Sequence, residues 1–464
     1  MTRFTLISGS YTRREGHVPD PRGESMMMHS VELGDTPADN QAARVHSRSF
    51  SPIPNPSWIQ PDWNRGLLHA ATEVSGKESG IYSYTLASIR KSIREQGEPE
   101  PVSMIPLSDG LCHLSLFSPS GDSVNPAEKS PGAARVVETA EPSRSAADPA
   151  AAPEPAEPAA LVLASSYASG ILHVVDVSDP AQPRELHRLH MPLPSAGSPP
   201  AGRNMTRQEA PHVHFAAVHP RDGRIYCADL GSDRIWIISG YGEGETPVIS
   251  YAQLPWGYGP RHLEFDPDGI HMYALCELRP RLLVLRRDED QPKQRPAERP
   301  KQRPEERPEA REEDGRAEGS GPETEGEPTS GLTLVEDIDI SASTENQAPS
   351  AIRLHPSGRT LALSNRFADE IILYAVERHG GFLQKLSFIR RFSCGGNTPR
   401  DMSFSPGGEF LAVGNQDSHT IAVFRFDPST GVPGNTASTT KEEIRPLLSI
   451  SAGSPARVLW LGED

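Results

Sequence analysis

A repeat constrains this chain more than any other feature. The segment "PHVHFAAVHPRDGRIYCADLGSDRIWIIS" begins at Pro211, "GPRHLEFDPDGIHMYALCELRPRLLVLRR" at Gly259, "APSAIRLHPSGRTLALSNRFADEIILYAV" at Ala348 and "TPRDMSFSPGGEFLAVGNQDSHTIAVFRFD" at Thr398. In each, a short alternating run leads to a turn containing proline and glycine, a second run ends in a small polar loop, and a third run follows. Period-two alternation over runs this short, broken by turn residues, specifies antiparallel strands rather than helices. Weaker copies begin at Asn55 and at Leu111, the latter resuming at Leu161. "SPARVLW" from Ser454 reads as an inner strand lacking its partners, and "FTLISGSYTRR" from Phe4 as a second strand lacking its inner neighbour. Together they complete a seventh unit. The expected fold is all-β: one seven-bladed β-propeller domain over residues 1–464, closed by pairing of the N- and C-terminal strands. A pair of β-sandwiches accounts for neither the repeat nor the split terminal unit.

Only 36% of the 464 residues are hydrophobic and 46 are proline, so part of the chain has little to pack. Gly121–Ala160 is dominated by Ala, Pro, Ser and Glu, and Asp288–Ser330 by charged residues with regularly spaced Pro. Neither can bury enough apolar surface to offset chain entropy, and both are expected to be disordered insertions. The first interrupts a hairpin within a blade and the second is expected between blades. Long surface insertions are thermodynamically cheap, which makes a tolerated loop the simpler reading and a tether for a protein partner the alternative.

The formal charge of −16 disfavours a nucleic-acid partner, which needs clustered Lys and Arg. No window approaches the roughly 18 uninterrupted apolar residues of a membrane span, and Met1–Ser10 lacks a basic region followed by an apolar block, so neither a membrane segment nor a signal peptide is expected. Cys112, Cys227, Cys276 and Cys394 lie far apart without a CxxC pair. Disulfide and zinc-ribbon scaffolds fall away, and a cytoplasmic location is the expectation.

Inner strands of a propeller line its channel, and the turn proline serves as a ruler along them. Six residues before it stand His113, His214, Arg261, Ser350 and Arg400; ten residues after it stand Leu230, Glu277, Arg366 and Gln416. Several cations brought around one axis against a single acid cost stability unless an anion compensates, which points to a site for an anionic ligand. His212 and His214 alternate onto one side of a strand, but the further ligands of a metal site are not evident, and no metal is expected.

In "SYTRREG", "ATEVSG", "PHVHFAAVHP", "GPRHLEFDPDG", "SNRFADEI" and "TPRDMSFSPGGEFLAVGNQDS" the chain resembles the lactonase family of seven-bladed propellers, which includes propeller-type 6-phosphogluconolactonase and 3-carboxy-cis,cis-muconate lactonizing enzyme. The resemblance implies a channel-mouth pocket holding His214, Arg261, Glu277 and an Arg of the next unit, either Arg366 or Arg353, with no cofactor. His214 or Glu277 is then the general base and Arg261 the oxyanion partner, while Arg366 and Arg400, with Arg353, His113 and His212 as further candidates, hold the substrate anion. The activity implied is hydrolysis of an anionic sugar lactone such as 6-phosphogluconolactone. The alternatives are cyclisation of a carboxy-muconate and, since fold alone never establishes activity, a non-catalytic scaffold.

Overall fold

The computed structural model describes residues 2–14, 18, 20–33, 43–95, 97–117, 160–192, 201–290, 331–342, 346–379, 382–434 and 444–461. These residues form seven four-stranded antiparallel sheets, the seven-bladed propeller expected from the repeat. We number the blades by their inner strands: Pro56–Asp62 (blade 1), Leu111–Phe117 (2), Val213–Val218 (3), Pro260–Phe265 (4), Ala348–Leu354 (5), Pro399–Phe404 (6) and Pro455–Trp460 (7).

Blade 7 closes the ring as the split unit requires. Its inner strand comes from the C-terminal region and pairs with Thr2–Ser10, with Leu6 opposite Trp460 and Ser8 opposite Val458. Either partial sheet alone would expose a row of unpaired backbone groups. The seam is also packed: the Phe4 ring lies 4.9 Å from Trp460 and 5.4 Å from Phe410 of blade 6. Elsewhere the core lies between neighbouring blades, as where Tyr226, Ile235 and Ile237 of blade 3 meet Leu263, Met272 and Leu283 of blade 4.

Two features differ from the sequence reading. Asp288–Ser330 does not separate blades: it joins the third strand of blade 4, Arg281–Arg287, to its fourth, Leu332–Asp339. That outer strand buries alternate positions only partly, so "LTLVEDID" carried too weak a pattern to be counted. Each expected insertion also includes residues that belong to the propeller. Ala160 is packed in the core, and Asp288–Asp290 forms one 3₁₀ turn held by Arg287, whose Nε donates to Asp290 at 2.7 Å. Residues 118–159 and 291–330 lie outside the described residues. One helix, Leu86–Glu95, follows the third strand of blade 1. Thr85 Oγ1 caps it by accepting the Ser88 amide at 3.0 Å, and Ile89 is fully buried beneath it.

Inner strands share one irregularity that positions the site. Opposite the second strand, the register skips Ser57, Cys112, His214, Arg261, Arg400 and Ala456 in their respective blades, and both Ser350 and Ala351 in blade 5. A β-bulge re-aims the extra residue, and repeating it around the ring presents one side chain per blade to the axis. The loops feeding these strands are pinned from the preceding blade. Asp233, held at φ 55°, accepts the amides of Gly257 at 2.8 Å and Gly259 at 2.7 Å, and Asp369 accepts that of Thr398 at 2.6 Å. Gly259 has φ +64°, and a Cβ there would come within 2.5 Å of Leu278.

Candidate active site

A second ring of side chains follows the second strands. The amides of Tyr11, Glu73, Tyr167, Leu230, Glu277 and Gln416 each donate to a carbonyl at the start of their blade's inner strand, at 2.8–3.1 Å, and Arg366 occupies the matching place opposite Ala348. Bulge residues and this ring meet at the loop end of the channel. Tyr11, Glu73, Cys112, His214, Arg261, His262 and Arg400 line a narrow cavity there with about 10 Å³ of water-accessible space, enough for about one water molecule.

Glu277 is the centre of one half of the site. Its Oε2 accepts Arg261 Nε at 2.8 Å and lies 2.9 Å from an Nη of Arg366, while Oε1 accepts Arg207 Nη2 at 2.8 Å. Arg261 is also tied to the Ser350 carbonyl, and Arg366 Nε donates to the Ala348 carbonyl at 3.1 Å. Burial alone would raise the Glu277 carboxyl, but Arg366, Arg261 and Arg207 together hold it well below the usual carboxylate range. Burial and the neighbouring Arg366 in turn lower Arg261 to about 10, against the attraction of Glu277; it remains a cation at neutral pH.

Glu73 is the centre of the other half. It accepts the Tyr11 hydroxyl at 2.7 Å and lies 4.0 Å from Arg400, whose guanidinium sits over the Tyr11 ring at 4.9 Å and donates to Gln416 Oε1 at 3.2 Å. Among the described residues Arg207, Arg261 and Arg366 pair with Glu277, and Arg400 lies beside Glu73, so within this group four guanidiniums meet two carboxylates. His214 stands between the halves, its ring edge-on to His262 at 5.4 Å and to Tyr167 at 5.8 Å. Burial, reinforced by Arg261, lowers its pKa well below the ordinary value. It is a neutral imidazole, and its Nδ1 has no hydrogen-bond partner among the described residues.

Of the residues singled out in the sequence, the structure brings His214, Arg261, Glu277, Arg366 and Arg400 to this end. It separates the other three from them. His212 lies behind Tyr167, stacked on its ring at 4.4 Å and bonded to the Tyr167 carbonyl at 2.9 Å and to Glu209 at 3.1 Å. His113 falls one residue past the bulge, where Cys112 takes the expected position, and packs between Trp58 at 4.3 Å and Phe215 at 4.2 Å. Arg353 lies beyond the bulge of blade 5 and pairs with Asp401 at 2.7 Å, so it is Arg366 and not Arg353 that meets Glu277. Sequence reasoning missed Tyr11, Glu73, Tyr167 and Arg207. Glu73 and Tyr11 hold the same ring position as Glu277, a periodicity hidden by atypical turns; Arg207 belongs to a loop outside the repeat and carried no signal. Among the described residues no group of three or more His, Cys, Asp or Glu side chains is placed to hold a metal ion.

Fold and site define a seven-bladed propeller with a cationic, acid-anchored cluster at one end of its channel. The model of the Lactonase, 7-bladed beta-propeller family matches residues 138–444, and the chain belongs to that family. It is 27% identical over 274 residues to the 6-phosphogluconolactonase of Bacillus subtilis, covering 58% of this chain and 64% of that protein. An uncharacterised protein of Lactococcus lactis is 25% identical over 224 residues, covering 48% of this chain and 54% of the other. The chain therefore matches less than two thirds of the length of these curated relatives. Among solved structures, the periplasmic gluconolactonase of Pseudomonas aeruginosa superposes with a TM-score of 0.64 at 19% identity over the whole of both chains. A putative 6-phosphogluconolactonase of Bacteroides fragilis does so with 0.63 at 16% identity, covering 99% of this chain and 98% of that one. At these identities the structural likeness speaks for the fold.

Proposed function

We propose that the protein hydrolyses a small anionic lactone, of the kind 6-phosphogluconolactone represents. The observation that carries this reading is the excess of guanidinium over carboxylate around Glu277, within a family whose named relatives include 6-phosphogluconolactonases. A guanidinium fork matches phosphate or carboxylate geometry, and an arriving anion relieves the mutual repulsion of the Arg side chains.

In this mechanism the lactone enters on the side of Arg207, the most exposed of the four guanidiniums at 41%. Its phosphate or carboxylate is held by Arg207, Arg366 and Arg400, and its carbonyl oxygen turns toward Arg261. Water in the cavity beside His214 attacks the carbonyl carbon. His214 takes the proton, the tetrahedral oxyanion forms against Arg261, and the ring C–O bond breaks as His214 returns the proton to the ring oxygen. Glu277 is a poor base because its oxygens are committed to three guanidiniums; it orients Arg261 and Arg366. His214, neutral at working pH and with its Nδ1 uncommitted among the described residues, is the base in this reading.

The test is hydrolysis of 6-phosphogluconolactone and glucono-δ-lactone above the spontaneous rate, with His214→Ala and Arg207→Gln alongside the parent. The expected result is faster turnover of the phosphorylated lactone, lost in His214→Ala. Folded protein without rate enhancement overturns the reading, and loss of diene absorbance from 3-carboxy-cis,cis-muconate in the same assay would redirect it to cyclisation.

A further inference from the structure

The channel does not run open from one end to the other. Below the bulge residues the rings of Trp58, His113, Phe215 and His262 meet at centroid distances of 4.2–6.1 Å, and this plug separates the Glu277 cluster from a second chamber at the turn end. That chamber has a volume of about 280 Å³, near the lower bound of about 300 Å³ for small-molecule sites. Its walls are Leu114, Leu116, Val218 and Phe404 on the apolar side, with Arg353, Arg457 and Glu264 among the polar groups.

The polar side is built to offer donors. Arg353 and Arg457 share one acid: they donate to the two oxygens of Asp401 at 2.7 Å and 2.8 Å, and Asp401 Oδ2 also accepts the Val458 amide at 3.1 Å. One carboxylate thus offsets two guanidiniums, while Asp266, also on the chamber wall, is matched by its own partner Arg378. Glu264 accepts the Leu354 amide at 3.1 Å, and burial lifts its carboxyl to about 7 against the attraction of Arg353, so near neutrality it does not supply a full second negative charge. The Arg457 guanidinium carbon sits over the Trp58 ring, 4.1 Å from its centroid. Arg457 Nε and Trp58 Nε1 are buried donors without an acceptor among the described residues, on residues 7% and 6% exposed that both line the chamber. Buried donors of this kind cost free energy unless an acceptor reaches them.

We infer that this chamber is a second ligand site, separate from the Glu277 cluster, which takes a small monocarboxylate with an apolar body: the carboxylate against Arg353, Arg457 and Trp58, the body against Leu114, Leu116 and Phe404. The inference does not rest on the proposed lactonase activity. A sugar lactone satisfies neither the apolar wall nor the single-anion balance, and a phosphate would place two charges where one is in excess.

The probe is 4-bromobenzoate, titrated calorimetrically into the full chain with 4-bromobenzamide as the neutral isostere. One site per chain is expected, with the benzamide at least tenfold weaker. Arg353→Gln, which removes the cation, and Ala217→Phe, which puts a ring into the chamber that Ala217 lines, should each weaken the benzoate at least tenfold. Arg207→Gln, at the far end of the channel, should leave it unchanged. Anomalous scattering from bromine in a soaked crystal locates the ligand directly, which decides the matter should the variants fail to fold. A bromine peak at the Glu277 cluster or on the outer surface, equal affinity for acid and amide, saturation absent at millimolar concentration, or full affinity in folded Ala217→Phe each overturns the inference.

Discussion

Arg261 Nε and Glu277 Oε2 are 2.8 Å apart although sixteen residues separate them, because a bulge turns the first toward the channel axis and the second stands just past the neighbouring strand. The pair is buried and carries two further guanidiniums on the same carboxylate. Arg261→Lys keeps charge but loses the planar fork, and lactone turnover is expected to fall at least a hundredfold while the melting temperature moves by only a few degrees. If the pair merely ties strands together, the ordering reverses.

Glu277→Gln removes the acid that Arg207, Arg261 and Arg366 share. Breaking a buried charge cluster on one side costs about 3–5 kcal/mol, and denaturant unfolding should show a loss of that order. Inorganic phosphate should restore part of it, giving a larger thermal upshift in the variant than in the parent; equal upshifts would mean that phosphate does not reach the cluster.

Glu264 predicts a pH dependence of stability. Its folded pKa of about 7 lies above the ordinary 4.5, so its contribution is fully present below about pH 4.5 and is lost as pH rises through about 7. Glu264→Gln stays neutral and keeps an oxygen for the Leu354 amide. The variant should match the parent near pH 4.5 and exceed it by up to about 3 kcal/mol at pH 8; a stability difference independent of pH would refute the assignment.

Closure of the ring predicts that the terminal strand is indispensable. Removing residues after Ser454 deletes the inner strand of blade 7 and leaves Leu6, Ile7 and Ser8 unpaired on that side. The truncated protein is expected to lose its cooperative thermal transition, whereas a retained transition near the parent temperature would show that six blades and a partial seventh suffice.

Replacing residues 118–159 and 291–330 by short turns should shift the melting temperature by only a few degrees. The flanking residues are already paired, Phe117 with Leu161 and Arg287 with Leu332, so each gap joins adjacent antiparallel strands that a tight turn can connect. A drop of ten degrees or more in the doubly trimmed chain would show that one segment packs against the propeller.

The repeat made the blade count, the split seventh blade and the recurrence of Arg261, Glu277 and Arg366 at fixed positions of their units legible, because strand alternation and turn spacing are local and recur at fixed phase. The proline ruler failed where its local basis failed. In blade 2 the insertion follows directly on the inner strand, and the count fell on His113 instead of Cys112. In blade 1 the turn "PDWNRG" is longer, and in blade 7 the paired strands come from opposite ends of the sequence, so Glu73 and Tyr11 were not aligned with Glu277.

What the sequence determined by itself was therefore the pattern along each blade: which runs are strands, where they turn, and which positions recur. Only the tertiary structure decided which of those positions meet. A one-residue bulge sends Arg261 to the Glu277 cluster and leaves the adjacent His262 in the ring plug, and the place of Arg353 beyond the blade 5 bulge gives it to Asp401 rather than to Glu277. Side-chain direction in a strand reverses with every residue, so a site built across several blades depends on local register shifts and on contacts between segments far apart in the chain, neither of which is encoded in spacing alone.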